Sequence, residues 1–144
     1  MGFGDRAITV SKQAQLLEEF LAGEAKTGSL KLNLRAADKT VLFHGHCHQK
    51  AFAAVTPAME LLKLIPNAEP QLIESSCCGM AGSFGYEAEH ITVSKQMAEM
   101  SLLPRIRKSP KSWVIADGTS CRHQIADGTQ REAVHIARIL AAHL

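Results

Sequence analysis

From Thr40 onward, the chain repeats a pattern in which a short apolar run is followed by apolar residues at helical intervals. The runs cover 41–43, 72–73 and 113–115, and such short runs are typical of buried strands. The helical intervals are marked by Phe52, Val55, Met59 and Leu62, by Val93, Met97 and Met100, and by Ala133, Ile136, Ala137, Leu140 and Leu144. Alternating strands and helices favour a parallel sheet covered on both faces. The predicted fold is α/β: a small Rossmann-like three-layer sandwich with a parallel sheet of three to four strands.

The first 39 residues carry a different pattern. Four apolar residues at helical spacing, followed by Gly23, predict one amphipathic helix; they are Val10, Ala14, Leu17 and Leu21. Leu30, Leu32 and Leu34 alternate only weakly, which is typical of a connector or a marginal edge strand. The predicted organisation is therefore an N-terminal helix and connector over 1–39 and a cysteine-rich domain over 40–144.

Composition narrows the class of protein. The 144 residues are 46% hydrophobic and 21% charged, which suits one packed domain. The net charge is +2 without a run of like charges, so nucleic acid and anionic membranes are not expected partners. No transmembrane segment or signal peptide is recognised, and a cytoplasmic location is expected. In a reducing compartment, four cysteines are better explained as metal ligands or redox groups than as disulfides.

The four cysteines follow the three predicted strands. Cys47 comes after the first run, Cys77 and Cys78 after the second, and Cys121 after the third. Loops at the carboxyl ends of parallel strands lie at one edge of the sheet, so these thiols are expected to meet. Each cysteine taken alone could instead be a small buried apolar residue. Four of them in the loops of one edge favour a shared metal site.

The kind of metal follows from the ligand pattern. The chain has no C-x-x-C pair of the kind that structural zinc prefers, and thiolate-rich sites suit iron-sulfur clusters. Nearby loop residues could supply nitrogen ligands or hydrogen bonds to sulfur; they are His44, His46, His48, His123 and Gly79. Two alternatives stay open: a zinc-binding structural or interaction module, and a thiol-disulfide redox domain in which Cys77 and Cys78 form a vicinal disulfide.

Three stretches carry a family resemblance: HGHCHQK at 44–50, ESSCCGMAGSFG at 74–85 and DGTSCRHQI at 117–125. They resemble the cysteine-rich CCG domain found in heterodisulfide reductase and in the iron-sulfur subunit of glycolate oxidase. The similarity runs from about residue 40 to the end of the chain. It is strongest to the C-terminal region of FAD-linked D-2-hydroxyacid dehydrogenases of the D-lactate type. The family pattern often ends in C-x-x-C, whereas Gln124 stands at the position of its second cysteine here.

The resemblance implies an iron-sulfur electron-transfer domain of a flavin-linked 2-hydroxyacid oxidoreductase. Cys47, Cys77, Cys78 and Cys121 match the cluster-ligand cysteines, and a [4Fe-4S] cluster is the expected cofactor. The implied partner is an upstream flavin domain, carrying FAD, in the same polypeptide or complex. No residue here is assigned a catalytic role, and the isolated fragment is expected to be apo or zinc-bound and not to turn over substrate. Contact with the inner membrane would be peripheral, through partners.

Overall fold

The structure, a computed structural model, describes residues 4–144. Within that range the chain forms eight α-helices, three strands and one short 3₁₀ helix, Phe84–Tyr86. The helices are α1 Gly4–Gln13, α2 Leu17–Lys26, α3 Cys47–Ala51, α4 Val55–Leu62, α5 Ile91–Glu99, α6 Leu102–Arg107, α7 Thr119–Thr129 and α8 Ile136–Ala142. The strands are β1 Val41–His44, β2 Pro70–Leu72 and β3 Trp113–Ala116. The predicted α/β fold class is confirmed.

The three strands form one parallel sheet in the order β2-β1-β3. Val41 of β1 is level with Pro70 of β2 and with Trp113 of β3. An isolated parallel bridge between Ile115 and Val134 extends the sheet beyond β3. Because the chain goes from β1 outward to β2 and then back past β1 to β3, the loops after β1 and β3 diverge. That divergence creates a crevice at the carboxyl edge of the sheet.

Alternation along the central strand divides the core into two layers. Val41 and Phe43 face a cluster formed with α4 and α8, whereas Leu42 faces a cluster formed with α5, α6 and α7. The same period of two places His44 on the side of Leu42, which is also the side of Cys78 and Cys121. All four residues of β1 are buried, as expected for a central parallel strand covered on both faces.

The single N-terminal helix predicted through Val10 and Leu21 is wrong. The chain breaks between α1 and α2, where the Glu19 carboxylate accepts a hydrogen bond from the backbone N–H of Leu16 at 2.7 Å and starts a new helix. Val10 is 69% exposed, and α2 instead buries Glu18 and Ala22. The apolar residues from Val10 to Leu21 belong to two different helices, so their regular spacing does not correspond to one buried helix face.

The rest of the predicted N-terminal unit also differs. No strand forms among 30–34; Leu30 and Leu34 pack against the core from an extended segment. Helix α2 packs against α4, so residues from 1–39 contact the sandwich directly. The first three residues of the predicted 1–39 unit lie outside the described range. Its boundary at residue 39 stays a prediction.

Two other helical predictions need correction. The helix expected from Phe52 to Leu62 begins only at Val55, as α4, because Ala53 has a φ of +58° and Phe52 lies at the end of α3. The helix predicted from Val93, Met97 and Met100 is α5, but it buries Ser94 and Ala98 instead, and Met100 lies at its end and is 77% exposed. Helix α6 was not predicted, and it contributes Leu102, Leu103 and Ile106 to the core.

The final predicted helix is α8, which begins after Ala133 and ends before Leu144; α7 was not predicted. Helix α8 carries the expected Ile136 and Leu140, and α7 precedes it. Cys121 is therefore the third residue of α7 rather than a loop residue. Cys47 likewise begins α3. Both thiols thus sit on the first turn of a short helix, which fixes their direction more firmly than a loop would.

Candidate metal centre

The four cysteines line one groove at the carboxyl edge of the sheet. The groove has a volume of about 480 Å³. Cys47 and Cys121 lie on the first turns of α3 and α7, which follow β1 and β3. Cys77 and Cys78 lie in the loop after β2. Its other lining residues are His46, His48, Ala81, Gly82, Gly118 and Ser120. Three segments of the chain that are far apart in sequence therefore present sulfur to one space.

Two of the thiols form a buried inner pair. The Sγ atoms of Cys78 and Cys121 lie 3.2 Å apart, and the residues are 3% and 4% exposed. His44, at the end of β1, is 1% exposed. One of its ring nitrogens and the two sulfur atoms all lie within 4.8 Å of one another. This group of two soft sulfur donors and one imidazole suits a transition metal.

The ring of His44 is held on one side and unpartnered on the other. Its Nδ1 lies 2.9 Å from the Ser75 hydroxyl, which fixes the orientation of the ring. Its Nε2 is buried without a hydrogen-bond partner among residues 4–144. A buried polar atom without a partner costs free energy unless a ligand or water satisfies it. The donor set and this nitrogen therefore fit a thiolate-bound metal group.

The two inner thiols share one proton. The pKa of Cys78 falls to about 4, chiefly because Cys121 donates its S–H to the Cys78 sulfur, with a smaller contribution from His44. The pKa of Cys121 is raised far above its ordinary value by the same hydrogen bond, by burial and by the nearby thiolate. Cys78 is thus the thiolate of the pair, and thiolate is the form that binds metal.

The other two thiols form a rim pair. Cys47 is exposed and Cys77 is half-buried. Partial desolvation of its sulfur raises the pKa of Cys47, the neighbouring Cys77 thiol adds to the shift, and Lys50 opposes it. The backbone N–H of Gly79 donates to the Cys77 sulfur at 3.2 Å. Such an N–H bond to sulfur is the kind that tunes a bound metal group.

Packing against α5 requires glycine at position 79, in the loop that carries Cys77 and Cys78. Gly79 has a φ of +89°, which L side chains rarely adopt. A Cβ there would collide with the carbonyl oxygen of Ser94 on α5. The loop therefore lies directly on the backbone of α5, and this contact sets the position of Cys77 and Cys78.

Gln124 stabilises the same loop through hydrogen bonds. Its amide nitrogen lies 2.9 Å from the carbonyl oxygen of Cys78 and 3.0 Å from both the carbonyl and the hydroxyl oxygen of Ser94. Gln124 is 5% exposed and lies one helical turn after Cys121 on α7. A cysteine at this position could not donate these hydrogen bonds. The residue that departs from the C-x-x-C pattern thus supports the loop instead of adding a sulfur atom.

The predicted histidines separate into two groups. His46 and His48 line the groove, whereas His44 is buried next to the Cys78 and Cys121 sulfur atoms. His46 caps α3 by accepting the His48 N–H at 3.2 Å, and burial lowers its pKa. His123 is not among the residues that line the groove; its Nδ1 lies 2.6 Å from the Tyr86 hydroxyl on the exposed side of α7. The sequence placed His123 near Cys121, but the helix turns it away.

Lys50 and Arg122, which lie near cysteines in the sequence, support the loops around the groove. The Lys50 ammonium donates to the carbonyl oxygens of Ser75 and Ser76, just before the vicinal pair. Arg122 donates to the carbonyl oxygens of Ala116 and Asp117, at 3.0 and 2.7 Å, where β3 ends. These cations bind backbone oxygen, and their position beside cysteines in the sequence was the only available signal.

The fold and the groove together define an α/β domain with a cysteine and histidine cluster at the carboxyl edge of a parallel sheet. No family model matches the chain, and no solved structure matches it. Among residues 4–144, none of the helices combines the length and apolar character needed to cross a membrane.

Curated relatives are dehydrogenases. The chain is 30% identical over 113 residues to one subunit of the anaerobic glycerol-3-phosphate dehydrogenase of Escherichia coli K12, a match that covers 78% of this chain and 28% of that subunit. It is 30% identical over 112 residues to D-2-hydroxyglutarate dehydrogenase of Pseudomonas putida, covering 77% of this chain and 10% of the relative. The E. coli K12 D-2-hydroxyglutarate dehydrogenase matches at 31% over 84 residues, covering 58% of this chain and 8% of that protein. The chain thus spans a small part of each relative.

Proposed function

We propose that the groove binds an iron-sulfur centre and that the chain is an electron-transfer domain of a 2-hydroxyacid or related dehydrogenase. The observation that carries this proposal is the convergence of four thiols on one groove, with one imidazole nitrogen of His44 within 4.8 Å of the two buried sulfur atoms. Soft sulfur donors in this number favour iron-sulfur chemistry. Such a centre, when bound, exchanges single electrons.

The proposed ligands are Cys47, Cys77, Cys78 and Cys121. Within the inner pair the Cys121 S–H donates to the Cys78 sulfur, which lowers the pKa of Cys78 and favours its thiolate form. The remaining protons would leave as ligands bind, since metal affinity depends on deprotonated sulfur. The Gly79 N–H would keep its hydrogen bond to the Cys77 sulfur and favour the reduced state of the centre. A [4Fe-4S] cluster is the proposed form.

The proposed electron donor is a flavin domain upstream in the same polypeptide or complex. The curated relatives are named as dehydrogenases, and their matching regions cover only 8 to 28% of their length, which leaves ample chain for another domain. We assign no catalytic residue to this chain. The division into an N-terminal segment over 1–39 and a CCG-type domain over 40–144 belongs to the same proposal.

Anaerobic reconstitution with iron and sulfide tests the ligand assignment. The wild-type chain is expected to gain the visible absorption and the reduced-state EPR signal of a cluster, whereas Cys78→Ser is expected to lose them. His123→Ala is the matched control, because His123 neighbours a proposed ligand but contacts Tyr86 instead. A wild-type chain that stays colourless and iron-free contradicts the proposal.

A second candidate is a single zinc ion bound by His44, Cys78 and Cys121. The observation in its favour is that, among residues 4–144, these three side chains alone place donor atoms within 4.8 Å of one another. Zinc accepts such mixed sulfur and nitrogen ligands and often leaves a fourth position open. His44→Ala separates the candidates: a zinc site loses its ion, whereas a cluster held by four cysteines keeps its iron. Elemental analysis of the variant gives the answer.

A further inference from the structure

A buried amide joins two carboxylates beneath the groove. Gln49 is fully buried, and its Nε2 lies 2.5 Å from Glu18 Oε1 and 2.6 Å from Asp117 Oδ2. Its Oε1 accepts the backbone N–H of His46 at 3.1 Å. The amide therefore has partners for its oxygen and for both of its N–H bonds. Side chains with every hydrogen bond satisfied in the interior have one preferred orientation.

The three members come from three separate elements. Glu18 lies on α2 and is 3% exposed, Gln49 lies on α3, and Asp117 directly follows β3. Helix α3 begins with Cys47, two residues before Gln49. Asp117 also accepts the backbone N–H of Ile136 at 2.8 Å. The amide thus connects the N-terminal segment to two of the chain stretches that carry the cysteines.

The negative charges of Glu18 and Asp117 give this hydrogen-bonded arrangement a second effect. Both carboxylates accept hydrogen bonds from the same amide, whose oxygen accepts the backbone N–H of His46, a residue that lines the groove. Negative charge beside a redox centre stabilises its oxidised state in a poorly screened interior. Glu18 supplies part of that charge from a helix that carries no cysteine.

We propose that Glu18 is a positioning residue of the metal centre. Its carboxylate holds Gln49, and through Gln49 it fixes the first turn of α3 and the direction of Cys47. Its charge lowers the reduction potential of the centre. The effect on the reduction potential rests on the proposed function. The anchoring of α3 does not, because it is a property of the metal-free chain.

The test compares three variants of the 144-residue chain. Glu18→Ala removes the acceptor of the Gln49 N–H, Glu18→Gln removes the charge but retains an acceptor oxygen, and Glu24→Gln is the matched control. Glu24 lies on the same helix, carries the same charge, and has no side-chain hydrogen bond assigned in the described structure. Loss of a group that supports a ligand typically weakens metal affinity about 10- to 100-fold.

Amide hydrogen exchange of the metal-free chain is the first measurement. Glu18→Ala is expected to speed exchange at Lys50, Phe52 and Ala54, whose N–H groups bond to carbonyls of the α3 turn, while α6 stays protected. It is also expected to bind Co²⁺ about tenfold more weakly than wild type. Exchange at these amides that matches wild type overturns the inference, whether or not the chain takes up metal.

The reduction potential of the iron- and sulfide-reconstituted chain is the second measurement. Glu18→Gln is expected to shift the potential upward and Glu24→Gln to leave it unchanged. Equal potentials in these two variants overturn the role of the charge. A wild-type chain that takes up neither iron nor Co²⁺ contradicts the proposed function instead, and the exchange experiment then decides the inference alone.

Discussion

The inner and rim thiols share one groove but differ in what surrounds them. Cys78 and Cys121 are buried, in contact with each other and next to the His44 imidazole. Cys47 and Cys77 stand at the opening, where Cys47 is exposed. Burial and hydrogen bonding pre-organise the inner pair, whereas the rim pair depends on the short α3 and on one backbone N–H. We therefore expect the inner pair to contribute more to metal binding than the rim pair.

The largest expected effect comes from removing one inner thiol. Cys78→Ser and Cys121→Ser are each expected to abolish uptake of iron and sulfide, because each removes a thiolate ligand from the buried half of the centre. Cys47→Ser is expected to leave a weaker, partly loaded site. Iron content after anaerobic reconstitution measures the difference. Equal losses for the inner and the rim variants would remove the distinction between the pairs.

Mild oxidation of the metal-free chain is expected to join the inner pair. A disulfide such as oxidised glutathione would accept two electrons and one proton from the inner pair and a second proton from water and become two thiols, leaving one bond between the Cys78 and Cys121 sulfur atoms. Their 3.2 Å separation and the Cys78 thiolate favour this pairing. The vicinal Cys77–Cys78 disulfide considered from the sequence is expected to be minor. Peptide mapping without reduction identifies which pair has formed, and a dominant vicinal product would contradict the account.

The sequence was sufficient to predict the parallel sheet and the position of the four cysteines at one edge of it. Buried strands and loop cysteines leave local patterns, and parallel topology alone brings those loops to one edge. It was not sufficient for Gln124, whose partners Cys78 and Ser94 are 46 and 30 residues away. Glu18 was missed for the same reason, since a carboxylate on a helix is normally solvated. The helix break at Ala53 was also missed, because no glycine or proline marks it in the sequence.

Alkylation rates should separate the two pairs by about tenfold or more, because buried groups react only after local opening. Iodoacetamide is expected to modify Cys47 and Cys77 of the metal-free, reduced chain before Cys78 and Cys121. The thiolate character of Cys78 would favour reaction, so its protection measures burial directly. Mass spectrometry of peptides sampled over time gives the order. Early labelling of Cys121 would show that the inner pair is accessible.

The smallest expected effect is on the pH dependence of stability in the metal-free chain. The pKa of Cys78 is lowered to about 4, and the pKa of Cys121 is raised. Between about pH 4 and the ordinary thiol pKa of about 8.5, the folded pair holds one proton and the unfolded pair holds two, so this pair makes stability rise with pH. Above that value the unfolded pair loses both protons while the folded pair keeps one, and the contribution falls.

Denaturant unfolding across this pH range measures the effect. Cys121→Ala is the informative variant, because it removes the S–H that holds the Cys78 thiolate. The rise of stability with pH is expected to be shallower in this variant than in wild type. An identical slope in both chains would mean that the inner pair does not share a proton.

The central claim is that four thiols from three chain segments bind one iron-sulfur centre. Analysis of iron, acid-labile sulfide and zinc in the anaerobically reconstituted chain tests it most directly. The account predicts about four iron and four sulfide ions per chain and little zinc, as in a [4Fe-4S] cluster held by four cysteines. One zinc ion per chain without sulfide, or no metal at all, would contradict it.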